Sequence, residues 1–267
     1  MPSSPSTLQH FLAKLERYAP LSNQEREAIL ALPHAVRSLP AGAYLIRDGE
    51  RGPNCNVMLS GFACRHKVVG AGARQILSLH MKGDGIDFQN ALVGVADHNI
   101  QTLTRVDVAT VPAAAVRALI ESHGGAARAI MVEAIVDASM QREWTANVGR
   151  RDARTRLAHL LCELGLRQEA AGVARRNHYD LPMTQEQLAD ATGLTAVHIN
   201  RVLQALKAEG VIGRDKRAVT IADWDKLTRI GDFRATYLHP ETSTIATQDA
   251  GGGPSRAPAA GVEGGPG

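Results

Sequence analysis

Asn200 and Arg201 are the side chains of this sequence best suited to read a nucleic-acid base. Arginine donates two hydrogen bonds to guanine O6 and N7, and asparagine pairs with adenine N6 and N7. Each such pair discriminates against a wrong base by roughly 1–3 kcal/mol. Both lie in MTQEQLADATGLTAVHINRVLQALKAEGVIGRDKRAVTI, residues 183–221. Thr184, with Gln187 three residues on, is a capping-box pattern that starts a short helix. Gly193 falls where a tight turn between two helices needs a residue tolerant of positive φ. Thr195 caps the next helix, whose Ile199, Val202, Leu203 and Leu206 turn inward. Ala196, Val197, Asn200, Arg201 and Gln204 turn outward, and Ala189 is small where the helices must approach. These signals predict a helix-turn-helix over residues 184–208 whose second helix enters a major groove. The Thr184 and Thr195 hydroxyls and the helix starts suit phosphate oxygens, and Gln185 and His198 sit beside them. The segment to Ile221 reads as a hairpin with Arg214, Lys216 and Arg217 at its tip, a basic wing for the phosphate backbone.

The rest of the chain must position that unit. Apolar residues at helical spacing (Leu8, Leu12, Leu15, Leu21, Ile29, Leu32) predict N-terminal helices, with Ser22 as an N-cap. From about Leu39 short runs alternate with turns: AYLI, CNVMLSGFAC, QILSLHM and VDVATV among RDGERGPN, GAGAR, KGDG and VADHN. That texture predicts a small antiparallel sandwich or barrel. The helical period returns at Ala113. Ala127, Ile130, Met131, Ala134, Ala138, Gln141, Thr145 and Val148 make a narrow apolar seam, with Arg128, Glu133, Asp137, Arg142 and Glu143 opposite. A long helix with such a seam is suited to two-stranded packing, so Ile130, Met131, Ala134, Ala138, Thr145 and Val148 are the expected dimer interface. RRDARTR is a polar hinge, AAGVARRNHYD a loop, and the Gly/Pro/Ala-rich end a disordered tail.

The predicted class is therefore α+β. An N-terminal jelly-roll β-barrel occupies residues 1–125, a dimerisation helix 126–150, a winged helix-turn-helix 151–238 and the tail 239–267. Hydrophobic residues at 44% and charged residues at 21% fit a globular chain long enough for two cores. No apolar run approaches the roughly 20 residues that span a bilayer. MPSSPSTLQH is no secretory signal, so the cytoplasm is the expected location, without a membrane partner. Cys55, Cys64 and Cys162 are an odd, scattered set, which reads as reduced, buried thiols. From Arg150 to Arg217 there are 12 Lys/Arg against 8 Asp/Glu, an excess above the +3 of the whole chain. Basic charge is thus concentrated around the predicted DNA-reading unit.

LPAGAYLIRDGE, MLSGFACRHKV, RQILSLHMKGDGIDFQNAL, GRRDARTRLAHLLCELG and the helix-turn-helix, taken in order, resemble the Crp/Fnr superfamily of bacterial regulators over nearly the whole chain. The resemblance implies a cyclic-nucleotide-binding-like domain, a homodimer on a palindromic site in double-stranded DNA, and contact with RNA polymerase to activate or repress. Members that bind a cyclic nucleotide carry Gly-Glu after the Gly-Asp turn and an arginine about a strand later. Here Gly83-Asp84 is followed by Asp87-Phe88 where Gly-Glu is expected. No glutamate lies between Glu50 and Glu121, and no arginine between Arg74 and Arg105. Asp84, Asp87 and Gln89 are the candidate effector-pocket residues, and the two carboxylates would repel a phosphate. Cyclic nucleotide is not the expected ligand. An iron–sulfur cluster is not expected without N-terminal cysteines, and haem is not expected from the isolated His66, His80 and His98. Val197 stands where the oxygen-sensing branch has a glutamate, which points to a variant target sequence.

Two other classes share these domains. A cupin-like metalloenzyme needs a close His-x-His with a carboxylate, which the histidines do not form, so no catalytic or metal residue is assigned. A protein-binding adaptor would show no salt-dependent affinity for DNA.

Overall fold

The computed structural model describes residues 7–70 and 72–240; the tail read from the sequence lies outside them from residue 241 on. Helices α1 (Gln9–Glu16) and α2 (Asn23–Leu30) come first. α2 opens on a complete capping box, with Ser22 Oγ accepting from Glu25 N and Ser22 N donating to the Glu25 carboxylate. Leu8, Phe11, Leu12 and Leu15, spaced three and four apart, bury one face of this entry segment with Ile29.

Eight strands follow: β1 (Ala35–Leu39), β2 (Tyr44–Ile46), β3 (Asn54–Ser60), β4 (Ala63–Val69), β5 (Ala73–His80), β6 (Gly85–Ile86), β7 (Asn99–Thr102) and β8 (Val106–Pro112). They pair into two antiparallel four-stranded sheets, ordered β1-β8-β3-β6 and β2-β7-β4-β5, a jelly-roll arrangement. Ile46, Met58, Ile86, Ile100, Val106 and Val108 are buried together in the sandwich. CNVMLSGFAC is two strands, because Gly61 at φ +76° turns the chain between β3 and β4. A register shift between Met58 and Ser60 accounts for the imperfect alternation there.

After α3 (Ala113–Ser122), α4 (Gly124–Arg150) runs 27 residues, roughly 40 Å. Its faces differ from the sequence reading. Ile130, expected at a dimer interface, is 8% exposed and packs in the core of its own domain with α1 and α3. Glu133 and Asp137, expected on the outer polar face, turn inward and pair with Lys14 and Arg65. Charges neutralised inside a molecule leave no apolar signature, so a stripe counted on hydrophobic residues comes out misphased. The open face consists of Met131, Ala134, Ile135, Ala138 and Thr145, while Val148 is half-buried beside Gly193.

The chain breaks at Arg151-Asp152, where Asp152 caps α5 (Ala153–Ala170) by accepting from Arg154 N and Thr155 N. Strand β9 (His178–Asp180), helices α6 (Gln185–Thr192) and α7 (Ala196–Ala208), hairpin β10 (Ile212–Asp215) and β11 (Ala218–Ile221), helix α8 (Trp224–Ile230) and a 3-10 turn at Ala235–Leu238 complete the described chain. β9 lies in the stretch read as a loop. It joins the hairpin as β10-β11-β9 because Tyr179, 2% exposed, faces Val219 and donates its hydroxyl to Leu161 O at 2.7 Å. Phe62, Ile76, Leu79 and Met81 of the sandwich share one buried cluster with Leu157, Leu161, Leu188 and Ala191.

Candidate nucleic-acid interface

Thr184 Oγ1 accepts from Gln187 N at 3.2 Å, and Thr184 N donates to Gln187 Oε1 at 2.9 Å, so both halves of the capping box are made. Gly193 ends α6 at φ +65°, and Thr195 Oγ1 accepts from His198 N at 3.2 Å to start α7. α7 buries Ile199, Val202, Leu203 and Leu206 and packs on α6 across the small, buried Ala189. The remaining surface of α7 is left to solvent. Val197 is 71% exposed, His198, Asn200, Arg201 and Gln204 are exposed, and Ala196 is half-buried. Gln185 Nε2 reaches Asn200 Oδ1 at 3.5 Å, which links the two helices at this face. Thr184 and Thr195, both exposed, stand at the helix starts, where free backbone N–H groups favour an anion.

β10 and β11 pair in register from Ile212↔Ile221 to Asp215↔Ala218, leaving Lys216 and Arg217 as a two-residue turn. Lys216 takes φ +50°, and Arg214 Nε donates to Lys216 O at 3.2 Å. Lys216 and Arg217 are exposed at the tip, and Arg214 is half-buried along the strand.

Asp84, Asp87 and Gln89 line one cavity of about 330 Å³ between the sandwich, α1 and α4. Lys14 Nζ stands 2.7 Å from both Asp84 Oδ1 and Glu133 Oε1. Arg167 Nη2 of α5 lies 3.4 Å from Asp84 Oδ2. Burial opposes the charge on Asp84, but Lys14 and Arg167 outweigh it and bring the carboxyl down to about 2. Burial likewise opposes the charge on Lys14, yet Asp84 and Glu133 hold its pKa above the ordinary value. Burial raises that of Glu133, with Lys14 holding it back. Arg65 of β4 also lines the cavity, its Nη1 2.7 Å from Asp137 Oδ2. The sequence search for an arginine downstream of the Gly-Asp turn missed this one, because it enters from an earlier strand. It is already engaged by a carboxylate. Asp84 is charge-compensated by Lys14 and Arg167, which offsets the repulsion expected of it. Gln89 is exposed at the rim.

The long helix α4 and the DNA-reading half are tied through Glu163 of α5, which is fully buried. Its carboxylate accepts from Trp144 Nε1 at 3.0 Å and from the Tyr237 hydroxyl at 2.7 Å, and Arg167 Nη1 lies 3.2 Å away. Cys55, Cys64 and Cys162 are buried, and burial pushes each thiol up to about 12. Among the described residues no helix is long and apolar enough to cross a membrane.

A jelly-roll sandwich joined by a long helix to a winged helix-turn-helix defines a class of DNA-binding regulators. A family model described as a Crp-like helix-turn-helix domain matches residues 155–230, and one described as a cyclic nucleotide-binding domain matches 36–123. The chain is 26% identical over 209 residues to the transcriptional activator protein FnrL of Cereibacter sphaeroides, covering 77% of this chain and 84% of that protein. It is 25% identical over 190 residues to the nitrogen fixation regulation protein FixK of Rhizobium meliloti, covering 71% of this chain and 83% of that protein. In fold it resembles FixK2 from Bradyrhizobium japonicum, with a TM-score of 0.68 at 20% identity over 74% of this chain and 98% of that one. The chain belongs to the Crp/Fnr superfamily of transcription regulators, which are not enzymes, and its partner is DNA.

Proposed function

We propose that the protein reads a palindromic DNA site as a homodimer in the cytoplasm, using Val197, Asn200, Arg201 and Gln204 on base edges. Thr184, Gln185, Thr195, Ala196, His198, Arg214, Lys216 and Arg217 lie along the phosphates. The observation that carries this reading is the exposed outer face of α7, held by a capped helix, a left-handed glycine and a capped partner. The open stripe of α4 supports self-association: Met131 is 62% and Ile135 52% exposed, while Ala134 and Ala138 allow close approach. Contact with RNA polymerase is the proposed route to regulation.

The sensor half takes no cyclic nucleotide in this proposal. Phe88 stands where the ribose-binding glutamate is expected, and Lys14, Arg65 and Arg167 each already contact a carboxylate. Iron–sulfur and haem binding are likewise not proposed, since the thiols are dispersed and buried and His98 is held between Asp87 and Asp97.

Fluorescence anisotropy with palindromic and scrambled duplexes over a range of salt tests the DNA reading. Two chains should bind per palindrome, with affinity falling steeply as salt rises. Binding that ignores salt, or no binding at low salt, would overturn the reading. Titration with cyclic AMP should release no heat.

A further inference from the structure

The sensor cavity contains a buried carboxylate that is only half satisfied. Asp87 is 3% exposed, and its Oδ1 meets His98 Nε2 at 2.9 Å and the Arg65 guanidinium at 4.0 Å. Its Oδ2 has no hydrogen-bond partner among the described residues. A buried acceptor without a donor is costly, and such atoms are normally matched. Asp87 also holds a φ of +58°, a region unfavourable for a side chain, so its surroundings keep both backbone and carboxylate in place.

The charges around the cavity favour one sign of ligand. Four carboxylates (Asp84, Asp87, Glu133, Asp137) face three cations (Lys14, Arg65, Arg167), and burial holds His80 neutral. Lys14 is taken by Asp84 and Glu133, Arg65 by Asp137, and Arg167 by Glu163 and Asp84. An anion entering here would find only Arg65 Nε bare and would face four carboxylates, whereas a cationic donor would find Asp87 Oδ2 unpaired and the same carboxylates in its favour. Most of the remaining wall is apolar, with Phe88, Leu92, Ile120, Ile130, Met131 and Met140 contributing. The volume of about 330 Å³ falls within the range of small-molecule sites. Among the described residues no three His, Cys, Asp or Glu side chains converge as metal ligands, and the apolar wall suits a hydrocarbon body.

We infer that this cavity binds a small apolar amine, its ammonium group on Asp87 Oδ2 and its hydrocarbon body against Phe88, Ile130 and Met140. The inference rests on the sensor half acting as an effector domain in the proposed regulator. The amine supplies the missing donor and cancels the excess of carboxylates. A water molecule between Arg65 Nε, which is also bare, and Asp87 Oδ2 would satisfy the same two atoms. The test separates these occupants.

Calorimetric titration of the full chain with phenethylamine and with its near-isostere phenylpropionate compares the two charges on one hydrocarbon body. The amine should bind at least about tenfold more tightly, the scale of a charge-assisted hydrogen bond. Asp87→Asn should abolish that preference. Gln89→Lys, a change at an exposed rim position that leaves the core intact, should weaken the amine and favour the acid. Equal affinity for the two probes overturns the assignment. No heat from the amine at millimolar concentration, or an amine affinity indifferent to both variants, also overturns it and leaves water as the occupant. A palindromic duplex titrated into the same preparations keeps the two readings apart. Loss of the amine with DNA binding intact removes only the ligand site, while loss of DNA binding removes the regulator reading.

Discussion

Arg74 of β5 and Asp190 of α6 join the sensor to the DNA-reading helices, with Nε and Nη2 of the guanidinium each 2.7 Å from the same carboxylate oxygen. Beside them Gln75 Nε2 donates to Ala191 O at 3.4 Å. Because α7 packs on α6, this contact orients the recognition face relative to the sandwich. Both side chains are about a quarter exposed, at 27% and 26%, so solvent screens the pair. Arg74→Ala and Asp190→Ala should each lower stability, with a coupling energy of about 0.5–1 kcal/mol in a double-mutant cycle followed by urea unfolding. Strict additivity would mean that the pair contributes nothing.

Arg201→Ala should remove preference for the cognate site while leaving much of the nonspecific affinity, a loss of roughly 1–3 kcal/mol on the specific site alone. Lys216→Ala should weaken binding uniformly and lower the salt slope by about 1. Anisotropy on matched specific and scrambled duplexes distinguishes them. An equal loss on both duplexes for Arg201→Ala would place that side chain on the backbone.

The two faces of α4 can be separated by two isoleucines five residues apart in sequence. Ile135, 52% exposed, lies on the open stripe, so Ile135→Glu should convert the proposed dimer to a monomer with little loss of fold stability. Ile130, 8% exposed, lies in the sensor core, so Ile130→Ala should cost about 2–5 kcal/mol. Sedimentation velocity and thermal unfolding of both variants check the assignment.

Glu163 is fully buried and depends on its donors. Tyr237→Phe removes the hydroxyl 2.7 Å from Oε2 and leaves only Trp144 Nε1 on that oxygen. A loss of about 1–3 kcal/mol is expected in urea unfolding, since the remaining charge is desolvated. An unchanged midpoint would show that the turn at Ala235–Leu238 contributes no net stability through this bond.

Burial, with the Arg65 guanidinium next in effect, holds the His80 imidazole down to about 4 against an ordinary 6.5. Between those values the unfolded chain binds more protons than the folded one, so stability falls as pH falls through that window. The full separation corresponds to roughly 3 kcal/mol. Unfolding series across the window should show this loss in the wild type and a shallower slope in His80→Gln. Identical slopes would assign the acid sensitivity to other groups.

The winged helix-turn-helix was legible from residues alone because its signals are local. Thr184 reaches Gln187, Thr195 reaches His198 N, and Gly193 answers a local demand for positive φ, all within four residues of chain. The jelly roll was legible as a texture of short strands and turns, but not as sheet order, since β1 pairs with β8 and β2 with β7. The short β9 was read as a loop because it is held by Tyr179 finding Val219 and Leu161, which no local pattern encodes. Lys14 finds Asp84 at a separation of 70 residues and Glu133 at 119, and Arg74 finds Asp190 at 116. A charged residue that becomes buried looks like a surface residue in sequence until its partner is known. That is why the α4 seam was misphased at Ile130, Glu133 and Asp137, and why Arg65 was missed at the cavity. Short-range hydrogen bonding determined the DNA-reading unit from the sequence. Only the tertiary structure, by pairing distant charges, decided which side of α4 is open and what sign of ligand the cavity can hold.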